Sequence, residues 1–327
     1  MKLNYQITQL NADCVRIQIA PENQPMKGSA LNRYGFIFED AVKNNDRPDL
    51  NIALQDADTG KLNAADAGNL ELFRMIKAEF SEAGSLVEFE LFDDDEDFIG
   101  FGDLTRDRIY HRGYKANCNV SNVASYIPVP FFMSTRGYAI MVNSTYQVIF
   151  DMGCTEKNKL CWFDKSGAID FYVWRGKDYK ELIDRYTRLT GKPEMLPAFV
   201  FGNWWSRYHA YTDKEYLDLM DRFDDKDIPL SVGIVDMDWH LTKGENWKPH
   251  HNGWTGYTWN EELFPDYKSF LNGLHERGLR TALNLHPAMG VQSYEKQYPV
   301  VAKRMGIDPA SEKTMPCDYL NPKYLKA

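Results

Sequence analysis

The first half of the chain shows short alternating apolar and polar segments of the kind that form β-strands. Runs of six to eight residues rich in Val, Ile, Phe and Tyr are separated by Gly, Asn and Asp, which favour turns. The predicted strands are 15–20, 86–92, 138–143, 146–153 and 169–174. Strands of this kind are typical of two packed antiparallel sheets. We therefore predict an antiparallel β-sandwich with an aromatic core over residues 1–177.

A helical pattern follows the sandwich. Apolar residues between 178 and 190 recur at helical spacing, and Gly191, Pro193 and Pro197 then interrupt the chain. We expect a helical linker over residues 178–196, which separates the sandwich from a second domain.

Beyond Pro197, strand-like apolar runs alternate with amphipathic helical patterns. Thr212 is a predicted N-cap, with Glu215 at the spacing of a capping box. The predicted strands are 199–203, 229–238 and 279–287, and the predicted helices are 212–227, 264–278 and 292–306. This alternation predicts parallel strands joined by right-handed crossovers. A complete (β/α)8 barrel needs about 250 residues, so residues 197–327 are expected to form its first part, about three β/α units.

Composition narrows the function classes. The 327 residues include 43% hydrophobic and 14% aromatic residues and carry a formal charge of −9. Without a Lys/Arg-rich tract, the chain lacks the basic surface that nucleic-acid binding needs. Five cysteines without CxxC spacing favour reduced thiols over a disulfide framework or a zinc site. No apolar stretch reaches the roughly 18 residues of a membrane span, and no basic leader precedes an apolar core. We expect a cytoplasmic protein with no membrane partner.

Polar and aromatic residues follow the predicted parallel strands. Asp236 and Asp238 lie at the end of the second predicted strand, where alternation would send both side chains to the same side, and His286 lies at the end of the third. The first strand is followed by Trp204, Trp205, Arg207 and Tyr208. Sugars bind carboxylates, Arg and His through their hydroxyls, while their C–H faces pack on aromatic rings. Because functional groups lie at the carboxyl ends of barrel strands, these residues predict a sugar-binding pocket.

Other interpretations of the same residues remain open. Asp236, Asp238, His240 and His286 could ligate a catalytic metal, although their spacing is not a recurring ligand pattern. The aromatic loop 247–260 could line a saccharide cleft or form a packed loop, and the Trp pair could be rim packing. The acidic run 93–97 could bind calcium, but a solvated turn is the simpler interpretation, because the EF-hand alternation is missing.

Ordered motifs along the chain resemble glycoside hydrolase family 31. FIGFGD at 98–103 resembles the family's YGLGE turn, and IPVPFFMSTRGYAIMVNS at 127–144 resembles its IPF strand pair. LPAFVFGNWWSRYHAYT at 196–212 is similar to the first barrel strand, DMDWH at 236–240 to the DIDYM box, and YTWNEELFPDYKSFLNGLHERGLRTALNLHP at 257–287 to the third-strand region. The resemblance implies a galactose-mutarotase-like sandwich followed by a (β/α)8 barrel.

The resemblance also implies residue roles. Asp236 would hydrogen-bond sugar hydroxyls in the −1 subsite, with Met237 packed beside it, and we include Asp238, Trp204 and Arg207 among the substrate-binding residues. Asn122 lies where relatives send an acidic residue from the N-terminal domain into the site. His286 stands where relatives commonly have Asp.

The implied function is that of a retaining exo-α-glycosidase that uses no cofactor and acts on α-linked oligosaccharides, with α-glucosides the first choice. α-Xylosides, α-galactosides and N-acetylated sugars remain open. Double displacement needs two carboxylates about 5 to 5.5 Å apart. In the family, these follow the fourth strand and later segments, which have no match here. We therefore expect an N-terminal portion that is inactive alone, with exposed strand edges that could pair in a homo-oligomer. A non-catalytic carbohydrate-binding protein and a metal-dependent hydrolase are the alternatives.

Overall fold

A computed structural model of the chain describes residues 3–26, 28–43, 50–56, 61–66, 74–91, 94–104, 108–119, 127–242, 254–319 and 321–327. Asn122, Asp93 and residues 247–253 of the aromatic loop lie outside these ranges. The chain forms two compact units, Met1–Pro193 and Glu194–Ala327.

The first unit consists of two antiparallel sheets. Its strands are β1 (Leu3–Asn11), β2 (Cys14–Pro21), β3 (Leu50–Asp56), β4 (Lys61–Asp66), β5 (Arg74–Ser81), β6 (Gly84–Glu90), β7 (Phe98–Asp103), β8 (Lys115–Cys118), β9 (Ile127–Ser134), β10 (Tyr138–Val142), β11 (Val148–Met152), β12 (Lys159–Asp164) and β13 (Ile169–Arg175). Its helices are α1 (Ala30–Arg33), α2 (Glu39–Val42) and α3 (Tyr179–Thr190). In the described residues, the sheet orders are β1-β2-β13-β10-β9-β7 and β3-β4-β5-β6-β12-β11-β8. The predicted sandwich is confirmed.

The core between the sheets is aromatic, as the sequence predicted. Trp162 lies 5.0 Å from Phe89 and 5.1 Å from Phe171, measured between ring centroids, and all three side chains are buried. Alternation supplies these residues, because every second residue of a strand points to the same face. In β2, for example, Val15 and Ile17 enter this core.

Helix α3 belongs to the first unit and covers the other face of the β1-containing sheet. Asp178 caps its N-terminus by accepting a hydrogen bond from the Glu181 N–H. Leu182 and Leu189 are buried against this sheet, and the Trp174 indole N–H donates to the Leu182 carbonyl at 3.0 Å. The predicted linker helix therefore packs on the sandwich.

The second unit has a parallel sheet in the order β14 (Trp204–Trp205), β15 (Val232–Val235) and β16 (Arg280–Leu283). Its helices are α4 (Asp213–Asp224), α5 (Tyr267–Glu276), α6 (Tyr298–Met305) and α7 (Pro322–Lys326). Strands and helices alternate in the predicted manner, and the capping box of Thr212 and Glu215 is present at the start of α4.

The predicted first strand, 199–203, is wrong. Ala198–Phe201 forms a 3₁₀-helix, in which the Val200 N–H donates to the Pro197 carbonyl at 3.0 Å, and pairing begins only at Trp204. The apolar run is not a buried strand, since Phe201 is 78% exposed. Gly202 lies so close to Ser231 that an added Cβ would fall 1.8 Å from its hydroxyl oxygen.

All five cysteines are free thiols. Within the described ranges, no helix combines the length and apolar character needed to cross a membrane.

Candidate functional site

The carboxyl edge of the parallel sheet brings together the polar residues that follow its strands. Asp236 follows β15, the central strand, and Asn284 follows β16. The two strands pair in register from Val232 with Arg280 to Val235 with Leu283. The Asn284 N–H donates to the Val235 carbonyl at 2.9 Å and extends this pairing to the point where Asp236 begins.

Asp236 lies on the face of the sheet that is turned away from the helices. Gly233 faces α4, since a Cβ added there would lie 3.1 Å from the Tyr216 hydroxyl, and Val235 belongs to the core that the helices form. Alternation then places Ile234 and Asp236 on the opposite face. In a (β/α)8 fold this face is the barrel interior. Asp236 is half-buried there.

One oxygen of the Asp236 carboxylate is held by two donors. Oδ1 accepts hydrogen bonds from the Met237 N–H at 2.7 Å and from Nδ2 of Asn284 at 2.8 Å. No donor among the described residues reaches Oδ2. The side chain is therefore oriented by one oxygen and has acceptor capacity on the other, an arrangement suited to a ligand hydroxyl.

The segment after Asp236 is supported by the end of the aromatic loop. The Leu241 N–H donates to the Thr258 carbonyl at 3.0 Å, and the Asn260 N–H donates to the Trp239 carbonyl at 2.8 Å. The Trp239 indole N–H donates to the Asn284 carbonyl at 2.8 Å. In its described part, 254–260, the loop is thus packed against the segment that carries Asp236, although its residues 247–253 lie outside the described ranges.

The other predicted site residues occupy different settings. Met237 is buried, and Asp238 is half-buried, with Thr242 Oγ1 donating to it at 3.4 Å. Since β15 ends at Val235 and Met237–Trp239 forms a 3₁₀-helix, strand alternation does not relate Asp238 to Asp236, contrary to expectation. Trp204 is 40% exposed and donates its indole N–H to the Val200 carbonyl at 3.1 Å.

Arg207 and His286 follow the outer strands of the sheet. Arg207 is exposed, and no hydrogen bond or ion pair to it is found within the described ranges. His286 packs edge-on against Trp254 at 5.0 Å between ring centroids. Its Nδ1 atom is buried and receives no hydrogen bond from the described part of the chain. Asn122 lies outside the described residues.

The metal interpretation is not supported. Among the residues that the structure describes, no three His, Cys, Asp or Glu side chains form a group that could hold a metal ion, so Asp236, Asp238, His240 and His286 do not form one. His240 is buried with its ring against Gly256, and its Nδ1 lies 3.1 Å from the Leu241 carbonyl oxygen. The described part of the acidic run makes protein contacts instead: Glu96 accepts a hydrogen bond from Ser134, and Asp94 pairs with Lys157.

Two residues of this region were missed in the sequence. Asn284 orients Asp236, and its place directly after a predicted strand is the signal that could have found it. Glu295 is buried and accepts hydrogen bonds from Tyr257 and Thr258 of the aromatic loop. The local sequence around Glu295 does not distinguish it from a solvent-exposed glutamate, so no pattern in the sequence predicts its burial.

Comparison with known proteins agrees with this geometry. Residues 193–323, which include β14, β15, β16 and Asp236, match the model of the glycosyl hydrolases family 31 TIM-barrel domain. The sequence resemblance is thereby confirmed.

Curated relatives of this chain include glycosidases. Alpha-glucosidase 2 of Bacillus thermoamyloliquefaciens is 28% identical over 221 residues, which cover 64% of this chain and 27% of the relative. An alpha-xylosidase of Emericella nidulans is 29% identical over 175 residues, which cover 53% of this chain and 21% of the relative. The chain therefore spans about a quarter of the length of these relatives.

Solved structures share the fold. A dextranase of Flavobacterium johnsoniae, complexed with glucose, superposes with a TM-score of 0.71 at 19% identity. The match covers 93% of this chain and 38% of the dextranase chain. A xylosidase from Aspergillus niger gives a TM-score of 0.69 at 18% identity, and the match covers 94% of this chain and 46% of the xylosidase chain. These likenesses confirm a β-sandwich followed by the first part of a (β/α)8 barrel.

Proposed function

We propose that this chain binds the terminal sugar of an α-linked oligosaccharide and forms part of a retaining exo-α-glycosidase, with α-glucosides as the first choice. The observation that carries the proposal is Asp236, a carboxylate at the carboxyl end of the central strand, on the face away from the helices. The named relatives, an alpha-glucosidase and an alpha-xylosidase, support this class of substrate.

The chemistry of the site follows from the two oxygens of Asp236. Met237 and Asn284 occupy Oδ1 and fix the plane of the carboxylate, so Oδ2 can accept a sugar hydroxyl without a rotational search. A hydrogen bond to an ionised group contributes about 1.5 to 3 kcal/mol. Trp204 lies in the neighbouring strand β14, and its exposed ring supplies a stacking surface for a sugar. Arg207 follows that strand, and its exposed guanidinium supplies a hydrogen-bond donor.

The proposed reaction needs two further carboxylates in a double displacement. The family resemblance implies that these follow the fourth barrel strand, so in this proposal Asp236 only holds the sugar. The 327-residue protein is then expected to bind sugar without hydrolysing it.

A titration of the 327-residue protein tests the proposal. Isothermal calorimetry with isomaltose, maltose and xylose is run on the wild type, on Asp236→Asn and on Asp224→Asn. The last is a matched control, because Asp224 is exposed at the end of α4. Loss of a charge-assisted bond predicts that Asp236→Asn weakens binding about 10- to 150-fold, whereas Asp224→Asn binds like the wild type.

Hydrolysis is measured in parallel with p-nitrophenyl α-glucoside and α-xyloside. Binding that depends on Asp236 supports the proposal, and the preferred sugar identifies the substrate. Binding that survives Asp236→Asn, or the absence of binding to every α-linked sugar, would overturn the role of Asp236. Hydrolysis by the chain itself would support a glycosidase but refute the expectation that the catalytic carboxylates lie elsewhere.

A further inference from the structure

A buried carboxylate, that of Glu295, lies behind the aromatic loop. Glu295 is 2% exposed and precedes α6. Its Oε2 accepts hydrogen bonds from Thr258 Oγ1 at 2.6 Å and from the Tyr257 N–H at 3.2 Å. Thr258 Oγ1 also accepts a hydrogen bond from the Lys296 N–H at 3.0 Å. Glu295 therefore ties the loop to the start of the α6 region.

The loop held by Glu295 lies against the segment that follows Asp236. The Thr258 carbonyl accepts from the Leu241 N–H at 3.0 Å, and the Asn260 N–H donates to the Trp239 carbonyl at 2.8 Å. His240 and Trp259 form an isolated antiparallel bridge between the same two segments. A displacement of Thr258 must therefore be transmitted to Trp239.

The connection ends at the carboxylate itself. Trp239 donates its indole N–H to the Asn284 carbonyl at 2.8 Å, and Nδ2 of Asn284 donates to Asp236 Oδ1 at 2.8 Å. We propose that Glu295 is a positioning residue that fixes the orientation of Asp236 through Thr258, Trp239 and Asn284. This inference rests on the proposed function, because its consequence is a better-oriented sugar-binding carboxylate.

The second oxygen of Glu295 supports a role beyond packing. Oε1 is buried and receives no hydrogen bond from the described residues. Burial raises the pKa of this carboxyl group, although Thr258 and Tyr257 act in the opposite direction. A buried polar atom without a partner costs about 1 to 3 kcal/mol. An apolar residue would avoid that cost, but it would leave Thr258 Oγ1 and the Tyr257 N–H without the acceptor oxygen that Glu295 supplies.

The first experiment is independent of any sugar. Protein labelled with ¹⁵N in its tryptophan indoles is compared for the wild type, Glu295→Ala, Glu295→Gln and Glu262→Ala, with the Trp239 signal assigned by Trp239→Phe. Glu262 is the matched control, because its side chain is exposed two residues after Asn260. We expect Glu295→Ala to shift the Trp239 signal and speed its exchange with solvent. Glu295→Gln, which keeps one acceptor oxygen, should restore the wild-type signal.

The second experiment measures isomaltose binding by the same proteins. We expect about tenfold weaker binding in Glu295→Ala, which corresponds to about 1.4 kcal/mol, and recovery to within about twofold in Glu295→Gln. Thr258→Val removes the donor from the other side of the contact and should reproduce the Trp239 shift, so the test remains decisive if Glu295→Ala fails to fold.

The outcomes separate this inference from the proposed function. A Trp239 signal that is unchanged in Glu295→Ala or Thr258→Val would overturn the positioning role. So would normal sugar binding despite a shifted signal. If the wild type binds no sugar while the signal shifts as expected, the proposed function fails, but the structural connection from Glu295 to Trp239 stands.

Discussion

Gly256 packs against the ring of His240, and replacing it with alanine tests the fit of the segment beside Asp236. A Cβ at position 256 would lie 2.2 Å from Nδ1 and 2.7 Å from Cγ of His240. Packed carbon atoms need about 3.5 to 4.0 Å. His240 is fully buried, and its Nδ1 lies 3.1 Å from the Leu241 carbonyl oxygen, so the ring cannot simply turn into solvent. One of the two segments must move.

The magnitude follows from the contacts that such a movement disturbs. Overpacking a well-filled site costs about 1 to 3 kcal/mol. Separating the segments also weakens the hydrogen bonds from Leu241 to Thr258 and from Asn260 to Trp239, each of which contributes about 0.5 to 1.5 kcal/mol. With partial relaxation, we expect local opening to become easier by about 2 to 4 kcal/mol, equivalent to roughly 30-fold or more in an equilibrium constant.

Hydrogen exchange followed by mass spectrometry measures this opening locally. Peptides covering 236–242 and 254–260 should exchange roughly 30-fold faster or more in Gly256→Ala than in the wild type. Gly273→Ala in α5 is the control, because its Cβ would lie 3.3 Å from the terminal methyl groups of Leu217, which can shift. Wild-type protection of both peptides in Gly256→Ala would refute the packing argument.

Two further predictions concern the first unit. Asp170→Ala should destabilise this unit by about 3 to 5 kcal/mol in urea unfolding followed by near-ultraviolet circular dichroism. Arg16, which holds Asp170 at 2.6 Å, would lose its buried partner and keep only the less buried Glu39. Asp184→Ala, at a side chain that is 40% exposed, should cost less than about 1 kcal/mol, and equal losses would contradict the argument. Burial raises the pKa of the Cys118 thiol to about 12. Iodoacetamide at about pH 8 should therefore label the exposed Cys154 and spare Cys118 until the protein unfolds. Rapid labelling of both cysteines in the folded protein would argue against this burial.

Local sequence patterns were sufficient to predict strands and helices that bury one face. The strands around Ile17 and Phe171 and the helices that begin after Asp178 and Thr212 have boundaries close to the predicted ones. Alternation and capping are properties of neighbouring residues, so the chain states them directly. The position of Asp236 at a strand end was predictable for the same reason.

Contacts between residues far apart in the sequence could not be predicted from such local patterns. The run 199–203 is as apolar as a strand, yet it forms a 3₁₀-helix, and pairing with β15 begins only at Trp204. Asn284 and Glu295 are likewise ordinary polar residues until the fold brings the first to Asp236 and the second to Thr258. The amino-acid order alone determined the two kinds of architecture, the resemblance to glycosyl hydrolase family 31 and the carboxylate at the strand end. Only the tertiary structure decided which face Asp236 occupies and what holds it there, because hydrogen bonds between residues tens of positions apart depend on sheet order and register, which periodicity within a segment does not encode.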